Sequence, residues 1–336
     1  VAILSQSMPN WSVAFFSIVP FGRIAIPILP DSSENEVTNI INHSETKVIF
    51  VSQRLAGKIS EEVKKRMTLV IDIDTFNVIW EDENKFTCDG RTAVPTPDDI
   101  ATIIYTSGTT GFSKGVMITG NNIAGNVVFG IKQNLHYKGS RCLSFLPLAH
   151  AYGCAFDLLT PLAVGTHITL LGRIPSPKII LKAMAEVKPN LIICVPLILE
   201  KIYRKQIVPM ISKGMMRWAL AIPLLDKTIY GKIRQKLVEA FGGCFEQVIV
   251  GGAPLNQEVE EFLYRIKFPF TVGYGMTECA PLVSYTHWKS FKLHSAGKVL
   301  PGIMEAKVLS SDPQNIPGEI YVRGENVMQG YYKNTE

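Results

Sequence analysis

Short, almost continuous apolar runs alternate with longer stretches of helical periodicity along most of this chain, and that alternation restricts the fold more than any other feature. Val1–Gln6, Lys47–Ser52, Thr68–Asp72 and Ile100–Thr106 read as strands. Leu191–Val195 and Gln247–Gly251 are shorter, of the kind buried on both faces of a parallel sheet. Between them, Met8–Phe21 (opened by a proline), Ala124–Gln133, Ser176–Val187 and Pro196–Lys205 read as helices. Strands joined through helices predict an α/β architecture with helices covering largely parallel sheets, and the number of strands calls for two such sheets. Beyond about Ser290 the pattern changes. Gly297–Pro301, Ala306–Leu309 and Gly318–Arg323 are short strand-like runs between Pro and Gly turns, with no helix among them. They predict the start of a small antiparallel β-barrel. The expected units are therefore 1–145, 146–288 and 289–336.

Composition narrows the function classes. Hydrophobic residues make up 47% and charged residues 19%, which suits a globular chain and not a disordered one. The longest apolar stretch, Leu146 to Leu171, is broken by His150, Asp157, Pro161 and His167, so no bilayer span is expected. Six cysteines, at 88, 142, 154, 194, 244 and 279, form no CxxC pair. That spacing argues against a zinc site or redox motif and for a reducing, cytoplasmic setting. The net charge of +5 is local. Lys201–Lys236 holds nine Lys and Arg against Asp226 alone, and the remainder of the chain is slightly acidic. No nucleic-acid partner is expected from a basicity confined to one segment.

The most informative segment follows the strand ending at Tyr105. Tyr-Thr-Ser-Gly-Thr-Thr-Gly-Phe-Ser-Lys-Gly, residues 105–115, has glycines at 108, 111 and 115 that let backbone N–H groups converge on an anion. Hydroxyls at 106, 107, 109, 110 and 113 add donors, and Lys114 adds the positive charge that phosphates require. The spacing is not that of a Walker A loop, since Lys114 precedes Gly115 where that motif has Ser or Thr. An ordinary polar turn between strand and helix is the alternative, and this composition over eleven residues argues against it.

This loop resembles the signature loop of the adenylate-forming superfamily, which includes acyl-CoA synthetases, luciferases and peptide-synthetase adenylation domains. The family usually carries Pro before the lysine, where this chain has Ser113; that position is not a ligand, so the change bears on loop stiffness. Four further resemblances follow in order: Pro147–Gly153 (PLAHAYG), Gly251–Leu255 (GGAPL), Gly273–Glu278 (GYGMTE) and Gly318–Glu336. Together they cover nearly the whole chain. The resemblance implies activation of a carboxylic acid by ATP to an acyl adenylate, followed by displacement of AMP by the thiol of CoA. Thr106, Ser107, Gly108, Thr109, Thr110, Gly111 and Lys114 would then hold the β- and γ-phosphates. Glu278, with Thr106, would bind Mg2+, and Thr277 would donate to the α-phosphate. Gly273, Tyr274, Gly275 and Met276 would form one wall of an adenine site, and Gly252, Ala253 and Pro254 the other. His150 would lie beside the acid. On composition alone Glu278 could be a solvated surface acid, Tyr274 a core tyrosine and His150 a structural histidine. Asp157, His167, His287 and His294 stand in no constellation and receive no role.

Three details resemble the long-chain fatty acid–CoA ligases: the run GYGMTECAPLVS, the GGAPL form of the adenine strand, and an insertion around residues 201–245. An acyl tunnel is expected near Tyr152–Leu159 and Val248–Gly252. The insertion sets Met215, Met216, Trp218, Leu220, Ile222, Leu224 and Leu225 among its basic residues. It fits a peripheral contact with the inner face of a membrane. A helical pair packed on the core with a solvated basic face fits it more readily. Monomer and homodimer both stay open. Since Val1 rather than Met opens the chain, a longer gene product is expected. The resemblance places a ribose-binding Asp and a mobile C-terminal domain with a catalytic Lys beyond Glu336, so residues 1–336 alone are expected to bind nucleotide weakly and turn over little. Two other classes compete: an adenylation domain that feeds a carrier protein, and a non-catalytic nucleotide- or acyl-binding protein.

Overall fold

The computed structural model describes residues 1–82, 84, 94–106, 113–212 and 225–334. The apolar runs at the start of the chain pair as expected. Strands β1 (Ala2–Leu4), β2 (Ile26–Ile28), β3 (Val48–Val51), β4 (Leu69–Asp72) and β5 (Val78–Glu81) form one sheet in the order β2-β1-β3-β4-β5. All of its pairings are parallel except that of the edge strand β5. Helix α1 (Pro9–Ile18) starts at its proline, whose missing N–H costs nothing at a helix start, and buries Trp11, Ala14, Phe15 and Ile18. Helix α2 (Glu34–His43) is fixed by a capping box between Ser33 and Glu36.

Strands β6 (Ile100–Thr106) and β7 (Lys114–Thr119) are antiparallel. The 107–112 segment therefore joins two strands, not a strand and a helix. Helix α3 (Gly120–Lys132) follows β7 directly. It begins four residues before the Ala124 expected from periodicity, because Thr119 and Asn122 form a capping box. The Asn122 N–H donates to Thr119 Oγ1 at 3.1 Å, and the Thr119 N–H donates to Asn122 Oδ1 at 2.8 Å.

The second parallel layer comprises β8 (Arg141–Ser144) with β9 (His167–Leu170), and β10 (Ile192–Cys194), β11 (Val248–Val250) and β12 (Phe270–Val272) in that order. A Cys142–Leu191 bridge links the two parts. Helices α4 (Pro177–Val187), α5 (Pro196–Ile202), α6 (Leu225–Ala240) and α7 (Gln257–Arg265) cover this layer. On α6, Ile229, Ile233 and Leu237 recur every four residues and pack on the core, while Lys227, Lys232, Arg234 and Lys236 face solvent. The described part of the basic segment thus has a helical core-facing side and a solvated basic side. Met215, Met216, Trp218, Leu220, Ile222 and Leu224 lie outside the described residues. Among the described residues, no helix is long and apolar enough to cross a membrane.

The remainder is antiparallel, as its Pro- and Gly-punctuated pattern predicts. β13 (Tyr274–Gly275), β14 (Leu282–Tyr285) and β15 (Lys298–Val299) form one small sheet, and β16 (Met304–Leu309) with β17 (Glu319–Gly324) a hairpin. The last strand, β18 (Gly330–Tyr331), returns to β7 and adds a third strand to the β6–β7 hairpin. Cys142, Cys154, Cys194 and Cys279 are buried free thiols, Cys244 is exposed, and Cys88 lies outside the described residues.

Candidate functional site

A cavity of about 300 Å³ opens at the carboxyl ends of the second layer's strands, where open α/β sheets bind their ligands. Three segments far apart in sequence supply most of its lining, with Val195, Pro281 and Leu282 beside them. The 146–153 segment contributes Leu146, Pro147, His150, Ala151, Tyr152 and Gly153. The end of β11 contributes Ile249, Gly251 and Gly252, and the turn from β12 into β13 contributes Gly273, Tyr274, Gly275, Met276 and Thr277. Seven residues singled out from the sequence therefore meet around one space: His150, Gly252, Gly273, Tyr274, Gly275, Met276 and Thr277. Tyr274 is 36% exposed, so it is not a core tyrosine and its ring is open to a ligand. Ala253 and Pro254 are exposed just beyond Gly252 and do not line the cavity.

Close approach requires one glycine and makes another position tight. A Cβ on Gly275 would stand 2.3 Å from the Pro281 carbonyl oxygen, so no other residue lets β13 sit against the turn into β14. A Cβ on Gly251 would stand 3.1 Å from Tyr152 Cζ. The Tyr152 ring crosses the end of β11 there, and its hydroxyl donates to the Ile249 carbonyl at 3.2 Å. Tyr152 thus forms the floor of the cavity, and burial drives its pKa well above the ordinary tyrosine value. His150 lies at the mouth. Desolvation by its surroundings lowers its pKa, opposed by the charge of Asp31, so it favours the neutral imidazole.

Behind the floor, Asp157 is 1% exposed in a π-helical turn, Cys154–Leu159, and neither carboxylate oxygen has a hydrogen-bond partner. Desolvation raises its pKa from 3.8 to about 8, and the Leu146 and Phe145 amides, short of hydrogen-bond geometry, offset only part of that. No role was expected for this residue; its burial without a partner favours the protonated acid.

A second cluster lies along the β6–β7 hairpin. Thr106 and Lys114 are direct partners across the two strands, so the ends of the segment expected to bind phosphate are fixed opposite each other. Ser107, Gly108, Thr109, Thr110 and Gly111 lie outside the described residues. Lys114 is exposed, and its Nζ stands 5.0 Å from the centroid of the Tyr331 ring. The Tyr331 hydroxyl donates to Glu278 Oε1 at 2.8 Å. Burial and the Glu278 carboxylate raise the Tyr331 pKa to about 12. Glu278 sits in the one-turn helix Thr277–Cys279, directly after the cavity-lining Thr277. Lys114, Tyr331 and Glu278 therefore form one line of contact.

Sequence reasoning missed Tyr331 and three buried asparagines that fasten this region. Asn126 Nδ2 donates to the carbonyls of Asn122 at 3.2 Å and Cys279 at 3.3 Å, and its Oδ1 accepts from the Leu282 N–H at 3.0 Å. Asn122 Nδ2 donates to the carbonyls of Glu325 and Val327. Asn326 Nδ2 donates to the Leu282 carbonyl at 3.1 Å. Helix α3 is thereby tied to both the Glu278 turn and the turn that leads to Tyr331. The signal for α3 was present: Asn122 and Asn126 stand four apart, on one face of a helix rich in apolar residues.

The donor set fits magnesium. Glu278 forms no ion pair among the described residues, and only one of its oxygens is occupied, by a neutral hydroxyl. Among the described residues no three His, Cys, Asp or Glu converge on a metal position. Mg2+ needs no such cage, because one carboxylate with waters and phosphate oxygens completes its octahedron.

With this geometry in place, the comparisons define the class. The AMP-binding enzyme family matches residues 1–332, and the chain belongs to that family. Among curated relatives, the long-chain-fatty-acid–CoA ligase FadD15 of Mycobacterium bovis is 26% identical, over 100% of this chain and 60% of that protein. The peroxisomal long chain acyl-CoA synthetase 6 of Arabidopsis thaliana is 27% identical, over 99% of this chain and 53% of that one. The chain thus spans little more than half the length of these relatives. ATP-bound MatB from Rhodopseudomonas palustris has the same fold, with a TM-score of 0.73 at 22% identity over 99% of this chain and 61% of that one. O-succinylbenzoate coenzyme A synthetase (MenE) from Bacillus subtilis, in complex with ATP and magnesium, gives 0.73 at 24% identity over 99% and 62%.

Proposed function

We propose that this chain is the nucleotide- and acid-binding part of a fatty acid–CoA ligase of the long-chain type. The observation that carries the reading is the meeting of His150, Gly252, Tyr274 and Thr277 around one cavity, with Glu278 as the next residue after its wall. In the reaction, an oxygen of the fatty acid carboxylate bonds to the α-phosphorus of ATP and the bond to pyrophosphate breaks. The thiol of CoA then attacks the acyl carbon and AMP leaves.

The residues divide this work by position. Tyr274 presents a flat face for adenine, opposite Gly252. Thr277 donates to the α-phosphate, where charge develops. Lys114 and the hydroxyls of 106–110 hold the β- and γ-phosphates. Glu278 and Thr106 would hold Mg2+, which when bound neutralises phosphate charge. The apolar wall of Leu146, Val195, Ile249 and Leu282 takes the acyl chain, down to the Tyr152 floor. Neutral His150 at the mouth can donate to the carboxylate without a fixed ion pair that would blunt its attack. The relatives' names support CoA as the acceptor and a long-chain acid as the substrate.

The deciding measurement is pyrophosphate release by the whole enzyme with acids of graded chain length, with and without CoA. Release that rises with chain length, with AMP liberated on addition of CoA, is expected. Release with no fatty acid but with another class of acid would replace the substrate, and acylation of a carrier protein in place of CoA would replace the acceptor.

A further inference from the structure

Strand β18 is fastened on one face and functional on the other. The Tyr332 N–H donates to the Gly115 carbonyl at 2.7 Å, and the Gln329 N–H to that of Met117 at 3.0 Å. Side chains alternate along a strand, so Tyr331 and Tyr332 point to opposite faces. The Tyr332 ring meets His43 edge-on at 5.7 Å, and Lys333 Nζ reaches the His43 carbonyl at 3.1 Å and the Glu45 carboxylate at 3.0 Å. These contacts anchor the segment to α2, beside the first sheet. On the opposite face Tyr331 stands between Lys114 and Glu278. The Met328 N–H also donates to the Glu278 carbonyl at 2.8 Å, so backbone and side chain of Glu278 are held from the same segment.

We propose that Tyr331 is a positioning residue that keeps the phosphate lysine and the metal carboxylate apart and aimed. This rests on the reading of Glu278 as the magnesium ligand. A carboxylate's last torsion is soft, and the Tyr331 donor on Oε1 restrains it. A neutral hydroxyl does so without the charge that would compete with a cation. The ring has a separate task. Without the ring between them, the flexible Lys114 ammonium and the Glu278 carboxylate would be free to pair with each other and leave neither for the ligand. The ring face instead holds Lys114 by cation–π attraction. Hydroxyl and ring thus do different things, and different substitutions separate them.

The test uses the whole enzyme without acid substrate, with Mn2+ as the metal probe. Binding of Mn2+·ATP, and of ATP with the metal chelated, is measured by calorimetry for the wild type, Tyr331→Phe, Tyr331→Leu, Glu278→Gln and the Tyr331→Leu/Glu278→Gln pair. Circular dichroism checks the fold of each. Tyr331→Phe should weaken Mn2+·ATP about tenfold, the low end of losing a hydrogen bond to a charged group, and leave metal-free ATP unchanged. Tyr331→Leu should weaken metal-free ATP as well, because Lys114 pairs with Glu278, and the double variant should recover it. If Glu278→Gln abolishes metal dependence while Tyr331→Phe matches the wild type, the positioning role is overturned and the metal assignment stands. If Glu278→Gln leaves Mn2+·ATP binding intact, the metal assignment itself fails and the role of Tyr331 goes with it.

Discussion

The edge of the site along the β6–β7 hairpin and the floor of the cavity at Tyr152 are built on opposite principles. The edge brings Lys114, Glu278 and Tyr331 together from three distant segments, each at least partly open to solvent, through directed polar contacts. The floor comes from one short helical segment, residues 151–159, laid against the end of β11, and almost everything in it is buried. On the proposed reading, the edge handles phosphate and the floor an alkyl chain: a phosphate site must offer charges that stay free until the ligand arrives, so it is wetted and held at long range. A site that takes an alkyl chain gains from apolar burial, so it is packed locally, and its one charged group, Asp157, is neutralised by burial. Changes on the edge should therefore show in rate and metal dependence, and changes at the floor in acid preference and stability.

The sharpest separation comes from Glu278→Ala in the whole enzyme. Removal of a group that stabilises developing charge is expected to lower ATP–pyrophosphate exchange 10²–10³-fold, about 3–4 kcal/mol, with melting and fatty acid binding unchanged. Near wild-type exchange would remove Glu278 from the site. Asn126→Ala acts one layer further back. It leaves the Leu282 N–H and the Cys279 carbonyl unpaired in the interior, which should cost about 2–3 kcal/mol of stability, and it should loosen the Glu278 turn. Denaturant unfolding with nucleotide affinity measured in parallel tests both, and a variant as stable as the wild type would break the link from α3 to the edge.

Asp157 makes a pH-dependent prediction for the floor. Its folded pKa, about 8, lies above its ordinary value of 3.8, so the folded state keeps a proton that the unfolded state releases. Its favourable contribution is whole below pH 3.8, declines by up to about 1.4 kcal/mol per pH unit as pH rises toward 8, and changes no further above that. Asp157→Asn removes the titration. The stability of Asp157→Asn relative to the wild type should grow between those limits and then level off. A difference constant with pH would mean that Asp157 is solvated or partnered in solution.

The two regions also differ in how far the sequence disclosed them. The edge motifs stand as short strings, and Lys114, Thr277 and Glu278 could be named because their neighbours are distinctive. Tyr331 could not, since its role depends on β18 returning to β7, a pairing between residues more than two hundred positions apart. β7 itself was overlooked: Lys114–Thr119 offers only Val116, Ile118 and Thr119 as β-branched residues, and the adjoining glycines and serine read as loop. Within the parallel layers, β1, β3, β4, β10 and β11 were legible because buried strands are apolar on both faces and need no partner to be recognised, whereas β2, β8, β9 and β12 are too short or too mixed in composition to stand out. Asp157 received no role because its meaning lies in burial, and a single acid inside an apolar run carries no local mark of that.

Tyr152 is where the floor can be moved by the smallest change. Its hydroxyl donates to the Ile249 carbonyl, and its ring fills the space that the absent Cβ of Gly251 leaves. Tyr152→Phe removes the hydrogen bond and keeps the ring. It should cost about 1 kcal/mol of stability and leave acid preference unchanged, because the depth of the cavity is set by the ring. Tyr152→Ala removes the ring and exposes the space in front of Phe156, whose ring centroid lies 6.0 Å from that of Tyr152. Each methylene that the opened space takes up adds about 0.8 kcal/mol, close to fourfold in affinity, so longer acids should gain over shorter ones by that factor per carbon until Phe156 stops them. Competition binding of saturated acids of increasing length to this chain reads the slope directly. A Tyr152→Ala variant with the wild-type length profile would show that the acyl chain leaves the cavity by another wall.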